Sequence, residues 1–183
     1  MNVRTRIFTL ILLLLSFRSF ADSYQVPLEE AHWEFKQIKS TCYLKQLIPL
    51  YGSADFVHKP GKPLHFSIQE QRSKTPVLKA TLKVMPAPWM QQHDSVSSLD
   101  HEVYFDQPVS TKDYGRLSVY GEAAEAMIDA LLQGQYPTFT YIRDASSLNL
   151  EETRVAVSAI NFSDSYKEFL SCRNNLRSVA ASK

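Results

Sequence analysis

The sequence predicts a single α+β domain, mostly antiparallel β-sheet in a sandwich- or barrel-like arrangement, with two packed α-helices and one disulfide. Three observations carry that expectation: alternating apolar and polar residues in the middle of the chain, two amphipathic segments with helical spacing, and two cysteines roughly 130 residues apart. Alternation is clearest where Leu64, Phe66 and Ile68 share one face of a strand and His65, Ser67 and Gln69 the other. Residues 77–84 repeat it through Leu78, Ala80, Leu82 and Val84. The polar stretch from Gln71 to Pro76 has hairpin length, so the two runs read as an antiparallel pair. Further strand candidates are residues 43–48, 54–58, 101–105, 116–120, 138–143 and 154–162.

The first helix is expected to start near Gly121, with Ala123, Ala124, Met127, Ile128, Leu131 and Leu132 on its buried face and Glu122, Glu125 and Asp129 toward solvent. Acids in its first turn suit the helix dipole, and Gly134 followed by Pro137 supplies a stop. The second is expected from an N-cap at Ser163 or Asp164 through Tyr166, Phe169, Leu170 and Leu176, with Cys172 near its buried side.

At the start of the chain, Arg4 and Arg6 precede an apolar run from Ile7 to Phe17, and Ser19-Phe20-Ala21 gives a small-x-small pattern. Residues 1–21 therefore read as a cleavable secretory signal and residues 22–183 as the exported domain, which places the mature protein in the periplasm. The run is about 11 residues, whereas a membrane-spanning helix needs roughly 20, so no transmembrane segment is expected in the mature chain. Removing the signal leaves roughly 160 residues, enough for one sizeable core. Its charges nearly balance, which gives no electrostatic case for nucleic acid or anionic lipid. In an oxidising compartment Cys42 and Cys172 are expected to pair, clipping an early strand to the last helix. The alternatives are two free buried thiols, or a redox or metal pair that lacks any Cys-x-x-Cys or nearby histidine cluster.

Catalytic chemistry is hard to place. No Gly-x-Ser-x-Gly elbow, phosphate-binding glycine loop or dinucleotide fingerprint occurs. The histidines, His32, His58, His65, His93 and His101, show no helical metal-ligand spacing, and the carboxylate pairs Glu29-Glu30 and Glu151-Glu152 read as solvated. A hydrolase or metal enzyme built from these scattered groups is the competing reading; no cofactor and no metal are expected. Aromatic anchors are the better lead, because such residues carry much of the energy of protein interfaces. Trp89 and Met90, in the proline-containing run from Met85 to Met90, either cover the core or meet a partner. Tyr24, in the extended segment from Tyr24 to Leu28, poses the same question, with docking on the chain's own sheet the simpler outcome.

Taken together, the blocks resemble the amino-terminal domain of MotY, the periplasmic protein of sodium-driven polar flagellar motors. The resemblance runs through Tyr24-Gln25-Val26-Pro27-Leu28, Ala31-His32-Trp33, Cys42-Tyr43-Leu44 and Ile48-Pro49-Leu50-Tyr51-Gly52. It continues through Phe56, Pro60-Gly61, Leu64-His65-Phe66, Pro88-Trp89-Met90, Met127 and Pro137-Thr138-Phe139-Thr140, and closes with residues 157–162 and 166–172. The resemblance implies a structural disulfide between Cys42 and Cys172. It also implies a non-enzymatic module that docks on the flagellar basal body and a companion, MotX, to form the ring that retains the stator. In that family an OmpA-like domain follows and grips peptidoglycan; this chain reaches Lys183 without one, so peptidoglycan is not expected among its ligands. The expected partners are basal-body ring components or a MotX-like protein. The alternative is a binding module of a non-flagellar envelope machine for secretion, pilus or cell wall.

Overall fold

Among the described residues, alternation resolves into two five-stranded sheets around one core. The structure, a computed structural model, describes residues 22–71, 77–87, 102–104, 115–143 and 152–181. The strands in chain order are β1 (Asp22–Gln25), β2 (Glu34–Ile38), β3 (Thr41–Ile48), β4 (Gly52–His58), β5 (His65–Glu70), β6 (Val77–Met85), β7 (Glu102–Tyr104), β8 (Arg116–Tyr120), β9 (Tyr136–Arg143) and β10 (Glu152–Ala156). Helix α1 (Glu122–Leu132) lies between β8 and β9, and α2 (Phe162–Ala181) follows β10. One sheet runs β1-β10-β9-β6-β7 and the other β2-β3-β4-β5-β8. All pairs are antiparallel except β1 with β10, which is parallel. Among the described strands both sheets are open, with no closure into a barrel.

The expected hairpin between the runs at 64–69 and 77–84 does not form. β5 pairs with β4 and β8 in one sheet, and β6 with β7 and β9 in the other. Alternation identifies the core-facing side of a strand, but two strands with matching apolar sides can face each other across a core as well as lie side by side. Here they face: Phe66 of β5 packs its ring 5.6 Å from Phe139 of β9, the neighbour of β6. A register shift between Val77 and Lys79 also reverses the expected phase at the start of β6, burying Val77 and leaving Leu78 outside.

Other boundaries move for local reasons. The run expected as a strand over 154–162 stops at Ala156; Val157 and Ser158 stay buried, Asn161 takes φ 58°, and Phe162 opens α2. Asp164, expected as an N-cap, is instead a first-turn acid paired with Lys167 at 2.8 Å. The strand β2 carries no apolar alternation because it is a mostly exposed edge, although its backbone pairs fully with β3. The segment from Tyr24 does dock on its own sheet, as β1 beside β10.

Both helices pack as their apolar spacing dictates. Ala124, Met127, Ile128, Ala130 and Leu131 of α1 are buried, while Leu132, expected in the stripe, is exposed. Gly134 at φ 76° ends the helix in the left-handed conformation that glycine tolerates best. Glu125, expected to face solvent, turns instead to the buried guanidinium of Arg173 on α2, with contacts of 2.5 and 3.2 Å. Phe162 and Phe169 of α2 are buried, and Leu170 is exposed. A chain of rings links the layers: Trp33 to Phe162 at 5.0 Å, Phe56 to Phe66 at 4.3 Å, then Phe66 to Phe139.

Cys42 on β3 meets Cys172 on α2, with sulfurs 2.02 Å apart and Cα atoms 6.1 Å apart, across a sequence separation of 130. This is the disulfide pairing expected. Closing so long a loop restricts the unfolded chain by about 4 to 5 kcal/mol in the chain-entropy picture. The protein with both cysteines replaced by serine should therefore unfold at a lower urea midpoint, losing about 4 kcal/mol. An unchanged midpoint would contradict a stabilising role for the bond.

Candidate interaction surface

The two sheets present different outer faces. Cross-strand register on the sheet containing β9 aligns Ser23, Arg154, Thr140 and Thr81 in one row, and Gln25, Ala156, Thr138 and Lys83 in the next. That is an ordinary solvated surface. On the other sheet the register aligns Lys36, Tyr43, Val57, His65 and Tyr120 in one row, Glu34, Lys45, Asp55, Ser67 and Ser118 in another, and Leu47, Ser53, Gln69 and Arg116 in a third. Here rings and aliphatic groups sit among the polar ones, with the His65 and Tyr120 rings stacked 4.7 Å apart.

Strand β3 inverts the expected pattern at one step. Gln46 is fully buried on the core side and Leu47 is exposed. The chain then turns through Ile48-Pro49-Leu50-Tyr51. The Tyr51 amide donates to the Ile48 carbonyl at 3.1 Å, Pro49 precedes the bend, and Leu50 has φ 64°. These are the marks of a type II turn, whose third position favours glycine or asparagine because an L side chain is strained there. Leu50 is nonetheless 98% exposed, so no burial offsets that strain. Beside the turn opens a groove of about 820 Å³. It runs between the β3–β4 corner and the single 3-10 turn Leu28–Glu30, and its lining includes Val26, Glu29, Glu30, His32, Lys45, Leu47 and Leu50.

The turn is held from below. Tyr51 is buried, and the Gln71 amide donates to its carbonyl at 2.9 Å. Its ring lies 5.3 Å from Tyr24, and the Tyr141 hydroxyl reaches its hydroxyl at 3.4 Å. Tyr141 also donates to Glu70 at 3.1 Å, and Glu70 forms an ion pair with Arg143. Burial pushes the Tyr141 phenol up to about 12 and raises Tyr51 as well, so both remain neutral hydrogen-bonding groups. Gly52 closes the corner: a side chain there would put its Cβ 2.0 Å from the Gln69 carbonyl oxygen.

Of the residues singled out in the sequence, Tyr24 is half-buried in this inter-sheet cluster, and Cys42 and Cys172 form the bond described above. Trp89 and Met90 lie outside the described residues, as do His93, His101 and Glu151. Glu29 and Glu30 are exposed on the 3-10 turn, and Glu152 pairs with Arg154 at 2.7 Å. His58 is buried in β4, and Nδ1 of His32 lies 2.9 Å from the Glu30 carbonyl. Among the described residues no group of three or more histidine, cysteine, aspartate or glutamate side chains could hold a metal. Leu47 and Leu50 were not singled out as a surface by sequence reasoning. Their signal is Pro49 followed by a leucine at the position a type II turn reserves for positive φ, legible only once the turn type is known.

Among the described residues, two mostly antiparallel sheets, two helices and one clip between β3 and α2 define an α+β module built around a single core. The chain belongs to the MotY N-terminal domain family, whose model matches residues 24–177. It is also similar to the sodium-type flagellar protein MotY of Vibrio parahaemolyticus, 28% identical over 171 residues, covering 89% of this chain and 54% of that protein. The chain thus spans about half the length of that relative. No helix among the described residues is long and apolar enough to cross a membrane.

The outer face carries a titration signature. Burial lowers the His65 pKa from the usual 6.5, with Arg116 and Lys59 adding to the effect, and Nε2 is buried with no hydrogen-bond partner among the described residues. The fold therefore favours neutral His65. Below pH 6.5 the unfolded chain takes up this proton first, so stability is lost as pH falls from 6.5 toward the depressed folded value. Urea unfolding between pH 5 and 8 should show a steeper acid-side loss for the native protein than for His65→Phe, which keeps a ring against Tyr120. Equal pH profiles would contradict the assignment.

Proposed function

We propose that this protein is a non-enzymatic binding module of the bacterial flagellar motor, working in the periplasm after removal of residues 1–21 as a secretory signal. On this reading residues 22–183 form the domain that docks on the basal body. Its partners there are ring components or a MotX-like protein, and docking helps build the ring that retains the stator. The observation that carries the reading is the family match over residues 24–177, which takes in every strand from β2 onward, α1, most of α2 and both cysteines. Support also comes from the relative in Vibrio parahaemolyticus, named as a sodium-type flagellar protein. The mixed apolar face of the β3-containing sheet suits a module that recognises protein rather than converts a substrate.

The role is tested in a flagellated host. Deleting the gene is expected to reduce swimming while leaving filaments assembled. Crosslinking of the tagged mature protein in the periplasm should recover basal-body ring proteins or a MotX-like protein. Normal motility together with reproducible recovery of a secretion, pilus or wall complex, without flagellar proteins, would overturn it.

A further inference from the structure

We infer that the β3–β4 corner, Leu47 to Leu50, together with the acidic 3-10 turn at Glu29 and Glu30, is the docking surface of this module, and that its occupant is an apolar segment of a partner protein carrying lysine or arginine. The inference deepens the proposed role by naming a surface and a partner chemistry.

Two independent observations lead to the corner. The first is the inversion on β3, where a glutamine takes the core position and Leu47 the exposed one. The second is Leu50, which adopts φ 64° and is 98% exposed. A strained backbone that gains no burial in the free protein is what an interaction site can retain, because the side chain is used in the complex. The corner is also rigid, since buried Tyr51 and the Gln71 amide fix the next residue, so little ordering is needed on binding.

Charge selects the occupant. Lys45, in the groove, has Glu34 and Asp55 as its cross-strand neighbours and interacts electrostatically with Asp55, so part of its charge is answered within the sheet. Glu29 and Glu30 are exposed and have no ion-pair partner among the described residues. The groove therefore offers exposed Leu47 and Leu50 beside two carboxylates that form no ion pair among the described residues, with Leu28 exposed on the adjoining turn. An apolar stretch flanked by a cation complements both, whereas an acidic segment is repelled.

The test uses the full mature protein. Leu50→Gly and Leu50→Asn place residues that accept positive φ in the turn, so both should raise the melting temperature, while binding to purified hook–basal bodies should weaken about 10- to 100-fold through loss of a buried leucine. Glu29→Lys with Glu30→Lys should weaken binding further as salt is lowered. A photo-crosslinker at position 50 should capture an apolar peptide containing lysine or arginine, and one at Thr81, on the opposite sheet, should not. Native-level binding by the Leu50 and Glu variants, a crosslink to an acidic segment, or no crosslink at position 50 would overturn the surface. If the native protein fails to bind hook–basal bodies, yet position 50 captures an apolar basic segment of another envelope protein, the motor role falls and the surface stands.

Discussion

The buried amide of Gln46 holds the early and late parts of the chain in register. Its Oε1 accepts from the Ser158 amide at 2.8 Å and its Nε2 donates to the Ser158 carbonyl at 3.2 Å, so a side chain on β3 pairs with backbone as a neighbouring strand would. The Trp33 indole donates to the same carbonyl at 2.9 Å. Around this point the Ser158 hydroxyl bonds to Tyr136, Asn161 donates to the Ala31 carbonyl and Ser165 to the Trp33 carbonyl. Each member is costly to leave unpaired, by about 1 to 3 kcal/mol, so the network favours complete formation over partial. Cys42 lies four residues before Gln46 on the same face of β3, and β3 thus anchors both the entry and the middle of α2.

Much of this frame was legible in the sequence. Period-2 alternation located the central strands, and 3.6-residue spacing with a glycine stop located α1, because in both cases one face is buried and the pattern is dictated by water. What water does not dictate was lost. β2 is a mostly exposed edge whose structure rests on backbone pairing with β3. Partner choice in the sheets depends on how strands stack across the core, which alternation along one strand cannot encode, so the pattern alone suggests β5 and β6 side by side where the fold sets them in opposite sheets. Gln46 and Glu125 look like surface residues by composition; their tertiary partners, Ser158 and Arg173, are remote in sequence. The disulfide was legible through its compartment and the family resemblance rather than through local pattern.

The same frame explains how a strained turn persists. Tyr51 is buried and joined to Tyr141, Gln71 closes the backbone below it, and Gly52 admits the neighbouring carbonyl at a distance no side chain would allow. With both flanks fixed, Leu50 has no alternative conformation that keeps the corner intact. Rigid support beneath an exposed apolar tip is the arrangement that loses least entropy on docking. The polar outer face of the opposite sheet, with threonine, serine, arginine and lysine in register, supplies a solvated back.

Hydrogen–deuterium exchange of the mature protein, alone and bound to hook–basal bodies, addresses the central claim that a tied frame presents a fixed docking corner. The account predicts that the Ser158 amide exchanges only through global unfolding in both states, while residues 26–32 and 47–52 gain protection on binding. Fast exchange at Ser158 in the free protein, or protection gained instead along β6 and β9, would contradict it.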